Sequence, residues 1–244
     1  FALAVTNARQ QWADSARASR RALEHARLAG QQRTGLFWIE LALGLGPTPA
    51  PEALAQLDEL PPATPWPFSL FTRAWLLAML DRFDEAVPLA RESTERLREL
   101  DGRRIGEIRL AEIARMAGDH KAAAGYLQSL CAWLEEREQY GMLGTYVCLL
   151  GRELCALGRF DEAEALARRG RELDPDDNID SGLWRQVQAR VLAHRGEHSE
   201  AERLASGAVA RVEESDNLAW QGDAWCELAE VLEVPVSYFY EGLS

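Results

Sequence analysis

Two histidines four residues apart are the first candidates for chemistry in this sequence. His194-Arg195-Gly196-Glu197-His198 matches the pattern H-x-x-E-H, in which two histidines bind zinc and the glutamate acts as a base. That chemistry requires both histidines on one continuous helix, whereas Gly196 falls at a predicted turn. We therefore expect His194 and His198 to lie on different helices as solvated turn residues, and we predict no metal site.

Other reactive groups are sparse in the sequence. Lys121 is the only lysine and no Gly-Lys-Ser/Thr triplet occurs, so the chain has no phosphate-binding loop. Gly44-Leu45-Gly46 lacks the third glycine of a dinucleotide fingerprint. The four cysteines form no C-x-x-C pair, and we expect them to be reduced. These observations predict no catalytic residue and no cofactor.

Arginine side chains offer recognition chemistry instead. Arg152 and Arg190 fall at equivalent positions of two adjacent repeats, defined below, where two guanidinium groups would clamp a carboxylate or a phosphate. In the alternative interpretation these arginines pair with nearby acids such as Glu112 and Glu153. Trp75 is a candidate for binding and, beside a proline-rich loop, also for packing. The full set of partner-binding candidates is Arg115, Arg152, Arg190, Gln186 and Trp75.

These side chains need a scaffold, and the composition favours helices. The chain has 244 residues, of which 47% are hydrophobic and 27% charged, so it can form a sizeable folded core. It contains 38 alanines and 35 leucines, both strong helix formers, and no strand-length alternation of β-branched residues. We predict an all-α protein.

A repeated pattern defines how the helices are arranged. Residues 144–175 contain two helix patterns, a turn at Gly158 and a terminal Pro175. With Gly144 as position 1, a small residue at position 20 lets the two helices cross closely. Position 20 holds Ala53, Ala86, Ala123, Ala163 and Ala201, and the turn residues are Asp81, Gly118, Gly158 and Gly196.

This pattern predicts tetratricopeptide-like helical hairpins stacked as a right-handed α-solenoid. The five units cover about residues 34–62, 67–101, 104–140, 144–177 and 182–215, with partial units at both ends of an array that spans 1–232. Because the chain begins at Phe1 within a repeat, we expect it to be an interior part of a longer protein.

The order of features from about Trp38 to Leu232 carries a family resemblance. It rests on segments such as Gly46-Pro47-Thr48-Pro49, Gly158-Arg159-Phe160-Asp161-Glu162-Ala163-Glu164 and Leu228-Ala229-Glu230-Val231-Leu232. In these the chain resembles the C-terminal helical-repeat region of large bacterial signalling ATPases, often fused to class III adenylate or guanylate cyclase domains. The resemblance implies a regulatory region that senses or docks partners, attached to an ATPase and a cyclase or other output domain.

The charge balance restricts the kind of partner. The sequence has 27 Lys and Arg against 39 Asp and Glu, a net charge of −12, which argues against nucleic-acid binding. No apolar run approaches the roughly 18 residues that a membrane-spanning helix needs. We expect a cytoplasmic chain whose partner is a protein, a peptide or another domain of the same polypeptide.

The C-terminal residues depart from the repeat pattern. Residues 233–244, together with Leu228-Ala229, resemble the last helices of phage-repressor-type helix-turn-helix domains. They are either a hydrophobic cap on the array or a junction with another domain. The sequence as a whole predicts a non-catalytic interaction or ligand-sensing module, the regulatory arm of a signal-transduction ATPase or cyclase. The alternative is the sensing or oligomerisation arm of a helix-turn-helix transcription regulator.

Overall fold

The computed structural model describes residues 11–28, 36–60, 67–101, 104–173 and 181–240. Within these ranges all regular structure is helical, which confirms the predicted all-α, helical-repeat fold class. The described α-helices are α1 (Trp12–Leu28), α2 (Leu36–Leu45), α3 (Ala50–Glu59), α4 (Pro67–Ala78), α5 (Phe83–Asp101), α6 (Gly106–Met116), α7 (His120–Glu136), α8 (Tyr140–Ala156), α9 (Phe160–Leu173), α10 (Ser181–His194), α11 (His198–Val212) and α12 (Leu218–Val231). A 3-10 helix, Val236–Tyr240, follows α12.

Close helix crossings occur where the repeat pattern places small residues. Each of the five position-20 alanines, Ala53, Ala86, Ala123, Ala163 and Ala201, is 0% exposed. In the hairpin of α8 and α9, a Cβ atom added to Gly151 would lie 3.4 Å from the Ala163 carbonyl oxygen. Small residues at these positions therefore allow the two helices of a hairpin to touch along their backbones.

The turns between paired helices adopt a left-handed backbone. Gly118, Gly158 and Gly196 have φ values of 77°, 74° and 81°, which glycine tolerates because it has no Cβ. Asp81, the predicted substitute for a turn glycine, takes φ 58°. Glu138 also adopts this conformation, with φ 54°, between α7 and α8, which belong to successive hairpins, and so does Glu233, with φ 55°, after α12.

Residues 1–126 and 215–218 form one compact unit. One buried cluster joins α2, α3 and α4 through Ile39, Leu43, Leu57 and Leu76. A second joins α4, α5 and α6 through Ala74, Leu77, Ala86, Ala90, Leu110 and Ile113. Helices α5 and α6 approach closely at Gly106, where an added Cβ atom would lie 2.7 Å from the Thr94 Cα.

Residues 127–214 and 219–244 form a second compact unit. Helix α8 begins at Tyr140, before the predicted frame start at Gly144, and the buried Leu143 extends its apolar face. Helices α10, α11 and α12 share a core that includes Leu204, Val209, Val212, Leu228 and Val231.

The segment after α12 packs onto the core of the second unit. The Phe239 ring lies against this core, with its centroid 4.8 Å from the centroid of the Trp225 ring. Residues 241–244, the remainder of the predicted cap or junction, lie outside the described residues. So do residues 1–10, 29–35, 61–66, 102–103 and 174–180. None of the described helices combines the length and the apolar character needed to cross a membrane.

Candidate functional site

Three of the five predicted binding residues lie in the second unit. Arg152 is on α8, and Gln186 and Arg190 are one turn apart on α10. Both arginines are paired with acids of α12, where Asp223, Glu227 and Glu230 follow one face at helical spacing. We call these six residues the polar cluster.

Arg152 is the most buried cation of the polar cluster. Its Nη1 donates a hydrogen bond of 2.7 Å to Asp223 Oδ2, and its Nε lies 3.5 Å from Glu153 Oε1. Burial alone would lower the pKa of this guanidinium, but the negative charges of Asp223, Glu153 and Glu227 raise it above its ordinary value. Arg152 therefore stays charged in a buried place, which makes it a fixed anchor for carboxylates.

Arg190 lies closer to solvent and contacts two carboxylates. Its Nη1 donates to Glu227 Oε1 at 3.3 Å, and its Nη2 lies 3.0 Å from Glu230 Oε2. Burial raises the pKa of the Glu227 carboxyl, an effect that Arg190 and Arg152 oppose. The Arg190 side chain is 21% exposed and that of Glu230 is 58% exposed, so the outer ion pair borders on solvent.

Several polar atoms of the polar cluster lack hydrogen bonds to the described part of the chain. Gln186 is 2% exposed, and neither its Oε1 nor its Nε2 has such a partner. Arg152 Nε and Glu227 Oε2 also lack a hydrogen-bond partner in the described part of the chain. Buried polar groups are nearly always hydrogen-bonded, so water or another polar group can complete these hydrogen bonds, as at Glu40 Oε2 and Glu107 Oε2 elsewhere in the described chain.

A cysteine beside these groups is not a nucleophile. Burial raises the pKa of the Cys155 thiol to about 12, although the positive charge of Arg190 lowers it in part. The thiol is therefore neutral at physiological pH. The arrangement of fixed guanidinium groups, carboxyls and a carboxamide suits recognition of a polar ligand.

The other two predicted residues lie in the first unit. Trp75 is 3% exposed and donates its indole N–H to the Gly44 carbonyl oxygen at 2.9 Å, so it packs in the core, as its alternative interpretation stated. Arg115 is half-buried near the end of α6. Their role in partner binding stays a prediction, and they do not belong to the polar cluster.

Pairing with acids, the alternative interpretation of the two arginines, is partly observed. Glu153 lies beside Arg152, as named in that interpretation, whereas Glu112 pairs with Arg109. The principal partners, on α12, were missed. Their signal was available in the spacing of Asp223, Glu227 and Glu230, but the sequence does not show which helix they face.

The zinc-like motif does not lie on one helix. Helix α10 ends at His194 and α11 begins at His198, with Gly196 in the left-handed turn between them. The His194 ring stacks on Phe160, with ring centroids 3.8 Å apart. In the described residues, no group of three or more His, Cys, Asp or Glu side chains is arranged to hold a metal ion.

Comparison with known proteins supports the repeat assignment. A family model described as "Tetratricopeptide repeat" matches residues 67–92, 147–169 and 187–206. The first segment covers α4 and part of α5, and the other two fall in the second unit, where they include Arg152 and Arg190. No curated protein matches the chain. These three segments therefore match the tetratricopeptide repeat, a repeat that generally mediates interactions between proteins.

Proposed function

We propose that the chain is a non-catalytic, cytoplasmic interaction module that forms the regulatory arm of a larger bacterial signal-transduction ATPase or nucleotide cyclase. Its partner is a protein or peptide segment, or another domain of the same polypeptide. The tetratricopeptide repeats support the interaction role. The resemblance of residues 38–232 to the repeat regions of signalling ATPases supports the context.

The proposed binding site is inferred mainly from the buried side-chain carboxamide of Gln186. A carboxamide offers two donors and an acceptor, which match the carbonyl and N–H groups of a peptide backbone. Leaving such a group without partners costs about 1–3 kcal/mol. A partner segment that hydrogen-bonds to Gln186 recovers this free energy and is positioned one turn from Arg190.

The partner can bind Arg190 by displacing Glu230 from its ion pair with that arginine. Because the Glu230 side chain is 58% exposed, its pairing contributes little to folding stability. A partner carboxylate replaces Glu230 at the guanidinium with little loss. Arg152, held by Asp223 at 2.7 Å, stays in place as a buried positive charge of the polar cluster.

The binding site is tested with overlapping peptides from the rest of the polypeptide that the same gene encodes. We expect Arg190→Gln to weaken the bound peptides by about tenfold, since a charge-assisted hydrogen bond is lost. Glu230→Gln removes the competing carboxylate and should strengthen them. Arg159→Gln, an exposed arginine paired with Glu162, is the matched control and should leave binding unchanged. Equal binding by all four proteins would refute the site.

A second pair of variants separates binding from folding. Gln186→Leu removes the unpaired carboxamide, and should weaken peptide binding while leaving the thermal midpoint equal or higher. Gln128→Leu makes the same change at an exposed position of α7 and should alter neither property. A Gln186→Leu protein that is less stable than the wild type would show that the carboxamide is hydrogen-bonded within the fold.

The signalling context is tested by reading the gene on both sides of this chain. A phosphate-binding loop with Gly-Lys-Ser/Thr, or a cyclase domain, is the expected result. A complete helix-turn-helix domain instead would replace the proposal with a transcription regulator. Hydrolase activity of the purified chain that survives repurification and disappears with one point mutation would refute a non-catalytic role.

A further inference from the structure

The first turn of α1 is capped by a residue that lies 204 positions further along the chain. Both carboxylate oxygens of Asp216 accept hydrogen bonds, Oδ1 from the Trp12 backbone N–H at 2.6 Å and Oδ2 from the Ala13 backbone N–H at 2.8 Å. The first four N–H groups of any helix have no acceptor within that helix, and a carboxylate there also complements the positive end of the helix dipole. Asp216 therefore ties the start of α1 to the loop between α11 and α12.

The loop that carries Asp216 is buried on both sides of this residue. Ser215 is 6% exposed and Asn217 is 1% exposed, and the Asn217 backbone N–H donates to Ser215 Oγ at 3.3 Å. Trp12, whose backbone donates to Asp216, is itself buried. Residues 215–218 accordingly belong to the same compact unit as α1. The loop is thus held on α1 by burial as well as by the two hydrogen bonds.

The helix that follows this loop is packed unevenly along its length. Helix α12 begins at Leu218, and the described residues 218–223 are all exposed or half-buried. Its first buried residue is Ala224. Asp223, which accepts the 2.7 Å hydrogen bond from Arg152 in the polar cluster, lies in the less buried part. The position of Asp223 therefore depends on how firmly the loop before α12 is held.

We propose that Asp216 is a releasable latch that regulates the polar cluster. With the latch closed, the loop holds the start of α12 so that Asp223 occupies the Arg152 guanidinium. When Asp216 leaves α1, the first turns of α12 open, Asp223 withdraws, and Arg152 becomes available to a carboxylate of the partner. A helix cap shifts an equilibrium by about two- to thirtyfold, which partner binding can overcome. The latch rests on the proposed function, because it controls access to the same binding site.

Hydrogen exchange followed by mass spectrometry on the full chain tests the latch. We expect Asp216→Ala to speed exchange about tenfold in the first turn of α1 and also at the amides of 222–224, whose helical acceptors are the carbonyls of 218–220. Asp119→Ala is the matched control, because Asp119 caps α7 by accepting a 2.9 Å hydrogen bond from the Ala122 backbone N–H. It should speed exchange in α7 alone. Faster exchange confined to α1 in Asp216→Ala would overturn the latch, as would an equal increase in every helix.

Peptide binding tests the regulatory role separately. Peptides that bind the wild type at the polar cluster should bind Asp216→Ala at least about threefold more tightly and Asp119→Ala with unchanged affinity. Asp216→Asn should fall between the wild type and Asp216→Ala, since a carboxamide keeps one acceptor oxygen. Because coupling between two sites is reciprocal, a bound peptide should also speed exchange in the first turn of α1.

The outcomes separate the latch from the binding site on which it acts. Equal or weaker peptide binding by Asp216→Ala would overturn the regulation and leave the site itself in place. Failure of every peptide to bind the wild type would refute the proposed function, and the exchange at 222–224 would then decide alone whether Asp216 holds the start of α12.

Discussion

Gly106 offers the most stringent test of how the helices pack. It is the first residue of α6, and a Cβ atom placed on it would lie 2.6 Å from Thr94 Oγ1 and 2.7 Å from Thr94 Cα. The Thr94 side chain cannot easily turn away, because its hydroxyl donates a 2.7 Å hydrogen bond to the Ala90 carbonyl oxygen. Gly106→Ala must therefore push α5 and α6 apart.

The size of the effect follows from the loss of packing between these helices. Opening an interface by about 0.5–1 Å forfeits about a quarter to a half of the attraction in each contact. Overpacking of this kind costs about 1–3 kcal/mol. Gly125→Ala is the matched control, since Gly125 lies inside α7 with no atom within 4 Å of the added Cβ. There the higher helix propensity of alanine should add up to about 1 kcal/mol.

Urea denaturation followed by far-ultraviolet circular dichroism measures both effects. We expect the two alanine substitutions to change the free energy of unfolding in opposite directions, with Gly106→Ala lowering it and Gly125→Ala raising it. A Gly106→Ala protein as stable as the wild type would mean that α5 and α6 do not touch at this residue. The assigned crossing of the two helices would then be incorrect.

Other buried groups give predictions of the same kind. Glu40→Gln should stabilise the protein at neutral pH, because burial raises the pKa of the Glu40 carboxyl. Protonated Glu40 favours the folded state, and this contribution to stability is lost as the pH rises through the raised pKa. The difference in free energy of unfolding between Glu40→Gln and the wild type should therefore widen as the pH rises, and a constant difference would contradict this prediction. Ala163→Trp should cost about 1–3 kcal/mol or more by overpacking at a 0% exposed position, and an unchanged thermal midpoint would contradict the repeat frame. Alkylation should label the exposed Cys226 before Cys131 and Cys155, whose pKa burial raises to about 12; earlier labelling of either buried thiol would refute this.

Local rules made the hairpins predictable from the sequence. Ala163 and Ala201 mark helix crossings because only a small side chain fits there, and both are 0% exposed. Gly158 and Gly196 mark turns because they have the left-handed backbone that ends a helix, with φ values of 74° and 81°. Each small residue at a crossing and each glycine at a turn acts within a single hairpin. The local sequence was therefore sufficient to predict it.

The sites could be predicted only in part, because their partners come from different helices. The spacing of the repeats placed Arg152 and Arg190 in equivalent positions, but it did not indicate that acids of α12 pair with them. The stacking of two arginines on the Trp184 ring was missed altogether. Arg171 comes from α9 and Arg185 from α10, and only the fold brings both to Trp184.

Glu138 and Glu233 hold the left-handed backbone conformation that glycine adopts at other turns, and this should weaken the chain locally. A non-glycine residue in this conformation costs about 1–3 kcal/mol, whereas Gly118, Gly158 and Gly196 adopt it at little cost. Aspartate tolerates it better than glutamate, so the turn at Asp81 is less affected. In a repeat array, the free energy of unfolding is close to a sum of contributions from single repeats and from contacts between neighbouring repeats. A conformational cost at one turn therefore lowers the free energy needed to open the chain at that turn. The amides around the 137–139 turn and around Glu233 should therefore exchange with solvent before those of the glycine turns, and transient opening of the chain should begin at these places while the neighbouring hairpins stay folded.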